Sequence, residues 1–265
     1  MASIGVATPF LNECVFARAW ARNVKKFGFD EIITLDTGST DGTDEILKAE
    51  GIKIVRFTDE ISGLTKSEYE RLRYWDWNTG GEKAVRTKLM ELCKTDFIFT
   101  LDLDELVTDE FNEVLTEIKA NPSWFIGRMP AYMFWGDLEH IRVRSLKPLL
   151  FYKGYFRPLR NWRGKYPGRN FRIIKNVPEI NYSNAFSHCI LQYKNFGRAS
   201  YYIPGVCRNF DVPYYHFHYC FPGVKNGNMD DEKEAPTLEF SKVSNVYPEE
   251  LKLIQEDYER LILKC

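Results

Sequence analysis

Two carboxylates, Asp102 and Asp104, stand two residues apart directly after the apolar run 97–101 (Phe-Ile-Phe-Thr-Leu), with Glu105 beside them. A run of that length and composition predicts a buried strand. On an extended chain, residues two apart project to one face, so the two side chains would converge at the strand's exit. Like charges that close repel unless a cation lies between them. A hard divalent ion, Mg2+ or Mn2+, fits there, and Mg2+ is commonly held by one or two carboxylates together with substrate phosphates. The chemistry these residues predict is metal-assisted work on a phosphate-bearing substrate. A second chemical stretch is Tyr214-Tyr215-His216-Phe217-His218-Tyr219. If extended, it puts His216 and His218 on one face and Phe217 on the other.

The elements that must position these groups alternate. Residues 4–8 predict a strand ending at Pro9. Phe16, Trp20, Val24 and Phe27 then recur at helical spacing until Gly28. Residues 31–35 predict a second strand. The polar loop 36–43 (Asp-Thr-Gly-Ser-Thr-Asp-Gly-Thr) opens a helix that reaches Glu50 and stops at Gly51. A third strand spans 52–57, a helix 82–93, then the strand at 97–101 and a helix over 109–120. Such alternation predicts a parallel, doubly wound sheet, which binds ligands at the carboxyl ends of its strands. Three polar clusters (8–13, 36–41 and 102–105) fall at those ends. Between the third strand and the next helix lies a long polar stretch, 58–80, with Trp75 and Trp77. It reads as a lid over the site or as a surface insertion packed by its tryptophans. From Trp124 to about Cys220 short aromatic, β-rich stretches dominate. Residues 228–240 read as an acidic surface excursion, and 248–263 as a closing helix.

The chain of 265 residues is 44% hydrophobic, enough for a substantial core and against general disorder. Six cysteines without a CxxC or a close pair argue against a zinc site or a disulfide framework and for reduced thiols. No apolar stretch approaches 18 residues, and the first residues do not read as a signal peptide. The expectation is a cytoplasmic protein, at most peripheral at the inner membrane face, with no transmembrane segment.

On three matches the sequence resembles the family-2 glycosyltransferases, inverting enzymes of the GT-A fold. Thr8-Pro9 with Asn12-Glu13 looks like the family's first strand and its following Asn-Glu. The loop 36–43 is a near-complete copy of its second-strand signature. The segment Gly81 to Arg86, followed by Asp102-Leu103-Asp104-Glu105, follows its basic helix and DxD element. The resemblance implies an α/β fold: a mostly parallel, Rossmann-like central sheet flanked by helices, with a β-rich acceptor half and a C-terminal helix. It divides the chain into a nucleotide-sugar half (1–125), an acceptor and catalytic half of the same domain (126–228), and an acidic loop with the last helix (229–265).

The implied donor is a nucleotide diphosphate sugar, by family default a uridine one. Thr8, Asn12, Glu13, Asp36, Ser39, Asp41, Arg86 and Asp102 are the implied donor-binding residues: Thr8 lines the uridine pocket, Glu13 and Asp36 contact base and ribose, and Arg86 faces the diphosphate. Asp41 alternatively caps the helix that starts at Thr43. Asp102 and Asp104 would hold the cofactor, Mn2+ or Mg2+, with His218, or else His216, completing its shell. An imidazole ligand favours Mn2+. The second half resembles, more loosely, a subset that includes lipopolysaccharide-core transferases. Arg169-Asn170-Phe171-Arg172 and then His188 look like that subset's Arg-x-Phe-Arg and Gly-Val-His-Glu elements. Cys189 stands where the subset has a carboxylate, so the base that deprotonates the acceptor is open between His188, at the matching chain position, and Asp137 or Glu139.

Net charge is only −1, but it is unevenly spread. Residues 140–178 hold eleven Lys or Arg and no Asp or Glu, leaving 25 basic and 37 acidic residues elsewhere. Seven aromatics interleave with these cations. Arg160, Trp162, Arg163, Arg169 and Arg172 therefore read as an acceptor surface for an anion, with aromatics and Arg able to stack on sugars or bases. An anionic or lipid-linked glycan comes first. The alternative is a hydroxylated base in DNA, which would have to be flipped out or single-stranded. Two other function classes remain: a sugar-nucleotide-binding module without transfer, and a nucleic-acid-binding protein on a transferase scaffold. The oligomeric state is open.

Overall fold

The computed structural model describes residues 1–58, 81–142, 169–185, 188–194, 204–221, 224, 237–242, 244 and 246–261. Strand β1 (Ile4–Phe10) is buried at every position, as a central strand must be. It pairs in parallel with β2 (Glu31–Asp36) on one side and β4 (Phe97–Thr100) on the other, and β3 (Ile54–Arg56) extends the sheet beyond β2. Helices α1 (Cys14–Lys26), α2 (Thr43–Ala49) and α3 (Gly81–Leu92) lie between these strands in the chain. The strand runs through Pro9 rather than ending there. Its pairing with β4 stops at Ala7, so the β4 side of Pro9 has no ladder to donate to.

The second half grows from the same sheet. β8 (Arg169–Lys175) lies antiparallel beside β4, and β6 (Ile126–Trp135) lies beside β8. β7 (His140–Arg142) and β13 (Thr237–Glu239) complete that edge. Gly127 permits the β6–β8 contact: a Cβ there would lie 2.8 Å from the Ile173 Cβ. β5 (Glu105–Val107) and β12 (Tyr214–Tyr219) run antiparallel to each other, and β12 lies parallel to β6. β11 (Cys207–Asn209) also pairs with β6, while β9 (Ile180–Ala185) and β10 (His188–Tyr193) form a separate hairpin. Helices α4 (Phe111–Lys119) and α5 (Leu251–Leu261) and a short 3-10 helix (Phe240–Lys242) complete the described elements. The expected mixed α/β fold, with a parallel half, a β-rich half and a C-terminal helix, is what forms.

The core is aromatic. Phe99 stacks on Phe111 at 4.4 Å between centroids, and Phe134 on Phe217 at 4.9 Å. Each such ring, fully buried, contributes about 1.5–3 kcal/mol. Helix α1 turns Val15, Phe16, Ala19, Trp20 and Val24 inward and ends before Gly28, whose φ of +61° suits a residue without Cβ. Cys14, Cys93 and Cys220 are buried free thiols and Cys207 is half-buried, as expected of reduced cysteines. All but Thr58 of the stretch 58–80, the residues Arg160, Trp162 and Arg163 and most of the acidic excursion lie outside the described residues. No helix among the described residues is long and apolar enough to cross a membrane.

Candidate donor and metal site

The loops leaving β1 and β2 are tied to each other. The Asn12 N–H donates to the Ser39 hydroxyl (3.1 Å) and its side-chain oxygen accepts from the Thr40 N–H (2.8 Å). Asn12 reaches this with φ +54°, a conformation Asn tolerates better than most residues. The Glu13 N–H donates to the Thr43 hydroxyl (2.8 Å). Asp41 accepts from the Cys14 N–H and the Thr43 N–H, both at 3.0 Å, and so satisfies a free donor at the start of both α1 and α2. Its capping role is thus in the structure, and it serves two helices. Burial and the nearby Asp41 push the Cys14 thiol up to about 12.

Thr8 is fully buried beneath these loops, its hydroxyl on the Pro9 carbonyl. Asp36, 1% exposed, uses one carboxylate oxygen to accept from the Gly38 and Ser39 N–H groups (3.0 and 2.8 Å). Its other oxygen is buried without a hydrogen bond, with Arg56 Nε 3.8 Å away. A buried carboxylate oxygen in that state is one a ligand donor would satisfy.

The acidic cluster departs from the extended geometry its spacing predicts. After Leu101, whose carbonyl accepts from the buried Trp20 indole (3.0 Å), the chain turns. The Glu105 N–H donates to the Asp102 carbonyl and the Asp102 N–H to the Glu105 carboxylate, each at 2.9 Å. This turn sends the two aspartates to different partners. Asp102 faces Arg86 Nη2 at 3.4 Å and Arg172 Nη1 at 3.7 Å. Asp104, 2% exposed, faces His218 Nδ1 at 3.1 Å and His216 Nε2 at 3.4 Å. Burial pushes the Asp102 carboxyl up, but the two guanidinium groups outweigh it and hold it below the usual range.

Both histidines sit on β12, between β5 and β6, with His216 opposite Glu105 on one side and Met133 on the other. Phe217 points into the core. Asp104, His216 and His218 can each offer a ligand atom within 4.8 Å of the other two. So the group that could hold a metal takes in His216, which the sequence ranked second, and leaves Asp102 with the arginines. Chain spacing makes Asp102 and Asp104 look equivalent, and only the turn separates them.

Arg172 also falls in an unexpected place. Its side chain is 11% exposed, paired with Glu105, 3.0 Å from the Tyr214 hydroxyl and 4.3 Å above the Tyr214 ring. It lies under the acidic cluster rather than on an open acceptor surface. Burial pushes the Glu105 carboxyl up to about 7 against the pull of Arg172.

His188 opens β10 opposite Ala185. Its side chain and that of Arg169 lie outside the described residues. Asp137 stands in the turn between β6 and β7. It accepts from the Glu139 and His140 N–H groups (2.8 and 2.7 Å) and contacts His140 Nδ1 at 2.8 Å. Burial opposes ionisation there, but these hydrogen bonds hold the carboxyl below its ordinary value. The sequence reading did not single out His140; its only signal was a histidine three residues after an aspartate.

Glucosyl-3-phosphoglycerate synthase from Mycobacterium tuberculosis, in complex with Mg2+ and uridine diphosphate, is similar at 18% identity and a TM-score of 0.37, over 50% of this chain and 44% of that one. The same enzyme with Mn2+, UDP-glucose and glycerol 3-phosphate matches at 18% identity and a TM-score of 0.36, with the same coverage. The chain thus spans less than half the length of that enzyme. No curated protein is a significant match. The model of the glycosyl transferase family 2 matches residues 6–187, well over half of the sequence and all three carboxyl-end loops. With its parallel half, its two stitched loops and its acidic turn in that matched span, the chain belongs to glycosyl transferase family 2.

Proposed function

We propose that the protein is a metal-dependent inverting glycosyltransferase that moves a sugar from a nucleotide diphosphate sugar, a uridine one first, to a hydroxyl of an anionic acceptor. The observation that carries this reading is the grouping of Asp104, His216 and His218 beside the Asp102–Arg86 pair, at the carboxyl end of β4. One buried carboxylate and two imidazoles are a donor set that suits Mn2+ better than Mg2+. A cation bound there would act as a Lewis acid toward the leaving diphosphate.

The chain's own residues divide the remaining work. The unsatisfied Asp36 oxygen is placed to accept from a base or ribose. Thr8, Asn12, Glu13, Ser39 and Asp41 shape the same end of the sheet. Arg86, held by Glu82 at 2.8 Å, brings positive charge to where a diphosphate would lie. A base must take the acceptor's proton as the hydroxyl attacks the anomeric carbon. The basic composition of residues 140–178 supports an anionic acceptor, a glycan or lipid-linked glycan before a hydroxylated DNA base.

A thermal-shift series with nucleoside diphosphates, with and without Mn2+, tests the donor side. Uridine diphosphate at a hundred times its Kd should stabilise the protein by about 2.7 kcal/mol. The shift should require Mn2+ and vanish in Asp104→Ala. No shift with any nucleotide would sink the transferase reading. Donor binding without sugar transfer to any glycan or DNA acceptor would leave a binding module.

A further inference from the structure

The mixed edge of the sheet carries a second cluster that faces the metal-binding side. Asp137 and His140 form a carboxylate–imidazole pair: the Asp137 carboxylate lies 2.8 Å from His140 Nδ1 and is fixed in turn by two backbone N–H groups. A carboxylate at Nδ1 holds the proton on that nitrogen and leaves Nε2 as the basic atom. Among the described residues Nε2 makes no hydrogen bond, and the His140 side chain is 36% exposed.

Strand alternation shows which face the pair occupies. Ile141, 1% exposed, pairs with Phe134, which packs on Phe217 in the core. His140 and Arg142 flank Ile141 and therefore project to the opposite face. Arg142 confirms this by lying 5.0 Å over Trp135, the neighbour of Phe134. On β12, His216 and His218 alternate with the core residues Tyr215 and Phe217, and His216 is the register partner of Met133. His140, Arg142, Trp135, His216 and His218 thus share one face of the sheet. Trp135 pairs with Tyr219, the residue after His218, and their rings are 4.8 Å apart. Asp137 lies two residues past Trp135, just beyond the end of β6, so both clusters sit at the same end of the two strands.

We propose that His140, oriented by Asp137, is the general base that deprotonates the acceptor hydroxyl. The assignment rests on the transferase reading above. The acceptor O–H proton passes to His140 Nε2 as that oxygen bonds to the anomeric carbon. The bond from that carbon to the diphosphate breaks, and the nucleoside diphosphate leaves with the electron pair. Asp137, a positioning residue, offsets the positive charge the imidazole acquires. Asp137 itself is ill-suited to be the base, because backbone and imidazole groups already occupy both of its oxygens.

The test uses the full chain, Mn2+, and the uridine diphosphate sugar that gives the largest thermal shift, with water as acceptor. Wild type should release free sugar and uridine diphosphate slowly. His140→Ala should lower kcat by about 10^2–10^4-fold, leave the donor KM and the Mn2+-dependent shift unchanged, and recover part of its rate with free imidazole. Asp137→Asn should lower kcat with the donor KM unchanged. Independently of turnover, the 15N spectrum of the metal-free protein should show His140 protonated at Nδ1, with that preference lost in Asp137→Asn. Wild-type turnover in His140→Ala, a loss that imidazole does not restore, or an Nε2-protonated His140 would overturn the assignment. Donor binding without sugar release by the wild type would also count against the pair. Absence of any nucleotide shift in the wild type would instead overturn the transferase reading, and the base assignment with it.

Discussion

Arg172 changes the reading of its neighbours more than any other single residue. Its guanidinium lies among Glu105, Asp102, the Tyr214 hydroxyl and the Thr100 carbonyl. Removing one partner of a buried ion pair leaves the other charge uncompensated, which costs about 3–5 kcal/mol. Arg172→Met should therefore lower the unfolding free energy from urea titration by that amount, whether or not a donor is present. An unchanged midpoint would mean that Arg172 serves ligand rather than fold. The two histidines make a second residue-scale case. Loss of a group that merely supports a metal ligand already costs 10–100-fold in affinity. His216→Ala and His218→Ala should thus each weaken Mn2+ binding by at least about tenfold, measured by calorimetry with uridine diphosphate present. If only His218→Ala does so, His216 is not a ligand.

At the scale of elements, α1 works as a spoke that holds the acidic turn in place. Trp20 fixes the carbonyl just before Asp102. Asn23, fully buried, donates to the Val107 carbonyl (2.9 Å) and accepts from the Val107 N–H (3.0 Å), so its amide substitutes for a neighbouring strand along β5. It also donates to Glu250 at 2.8 Å, ahead of α5. Asn23→Leu would strand a buried N–H, a carbonyl and a carboxylate. A cost of about 2–4 kcal/mol is expected, with weakened Mn2+-dependent uridine diphosphate binding because β5 follows Asp104 directly. Full stability by thermal or urea unfolding would contradict this account. Gly127→Ala probes the other half. Its Cβ would press on Ile173 at 2.8 Å and on Phe210 at 3.0 Å, and overpacking of that kind costs about 1–3 kcal/mol. A variant as stable as the wild type would show that β6 and β8 can separate freely.

Over the whole molecule, carboxylates set opposing limits on stability. Hydrogen bonds from Arg22 to Glu50, from the Ser3 N–H to Asp96, and from Arg208 to Glu117 hold these three carboxyls below their ordinary values. Such groups bind fewer protons when folded. Their contribution is present above about pH 4, where an unfolded carboxyl titrates, and is lost as pH falls through the lower folded value. Glu105 runs the other way. Raised to about 7, it binds its proton more tightly when folded, so its contribution is present at low pH and lost as pH rises through 7. The urea midpoint of the metal-free protein should therefore peak near about pH 4.5 and fall on both sides, the alkaline fall running to about pH 7. Glu105→Gln should flatten the alkaline limb. A midpoint still rising at pH 8 would contradict the placement of Glu105.

The parallel half was legible in the sequence because its cues are local. Apolar runs become strands, Gly28 and Gly51 stop helices at positive φ, and the loop 36–43 carries its own turn chemistry. The presence of a carboxylate–histidine site could likewise be read from residue types. Its membership could not. Asp102 and Asp104 meet different partners because a turn closed by Glu105 points them apart. His216 joins because β12 is inserted between β5 and β6, more than 70 residues away in sequence from either. Arg172 reads as one more cation in a basic segment until β8 pairs with β4 and carries it under the acidic turn. His140 comes to share a face with His216 and His218 only through the register of β7, β6 and β12. Periodicity and turn residues act within a few positions along the chain and so determine elements. Which elements become neighbours depends on burying their apolar faces together, and that packing alone decided which charges meet.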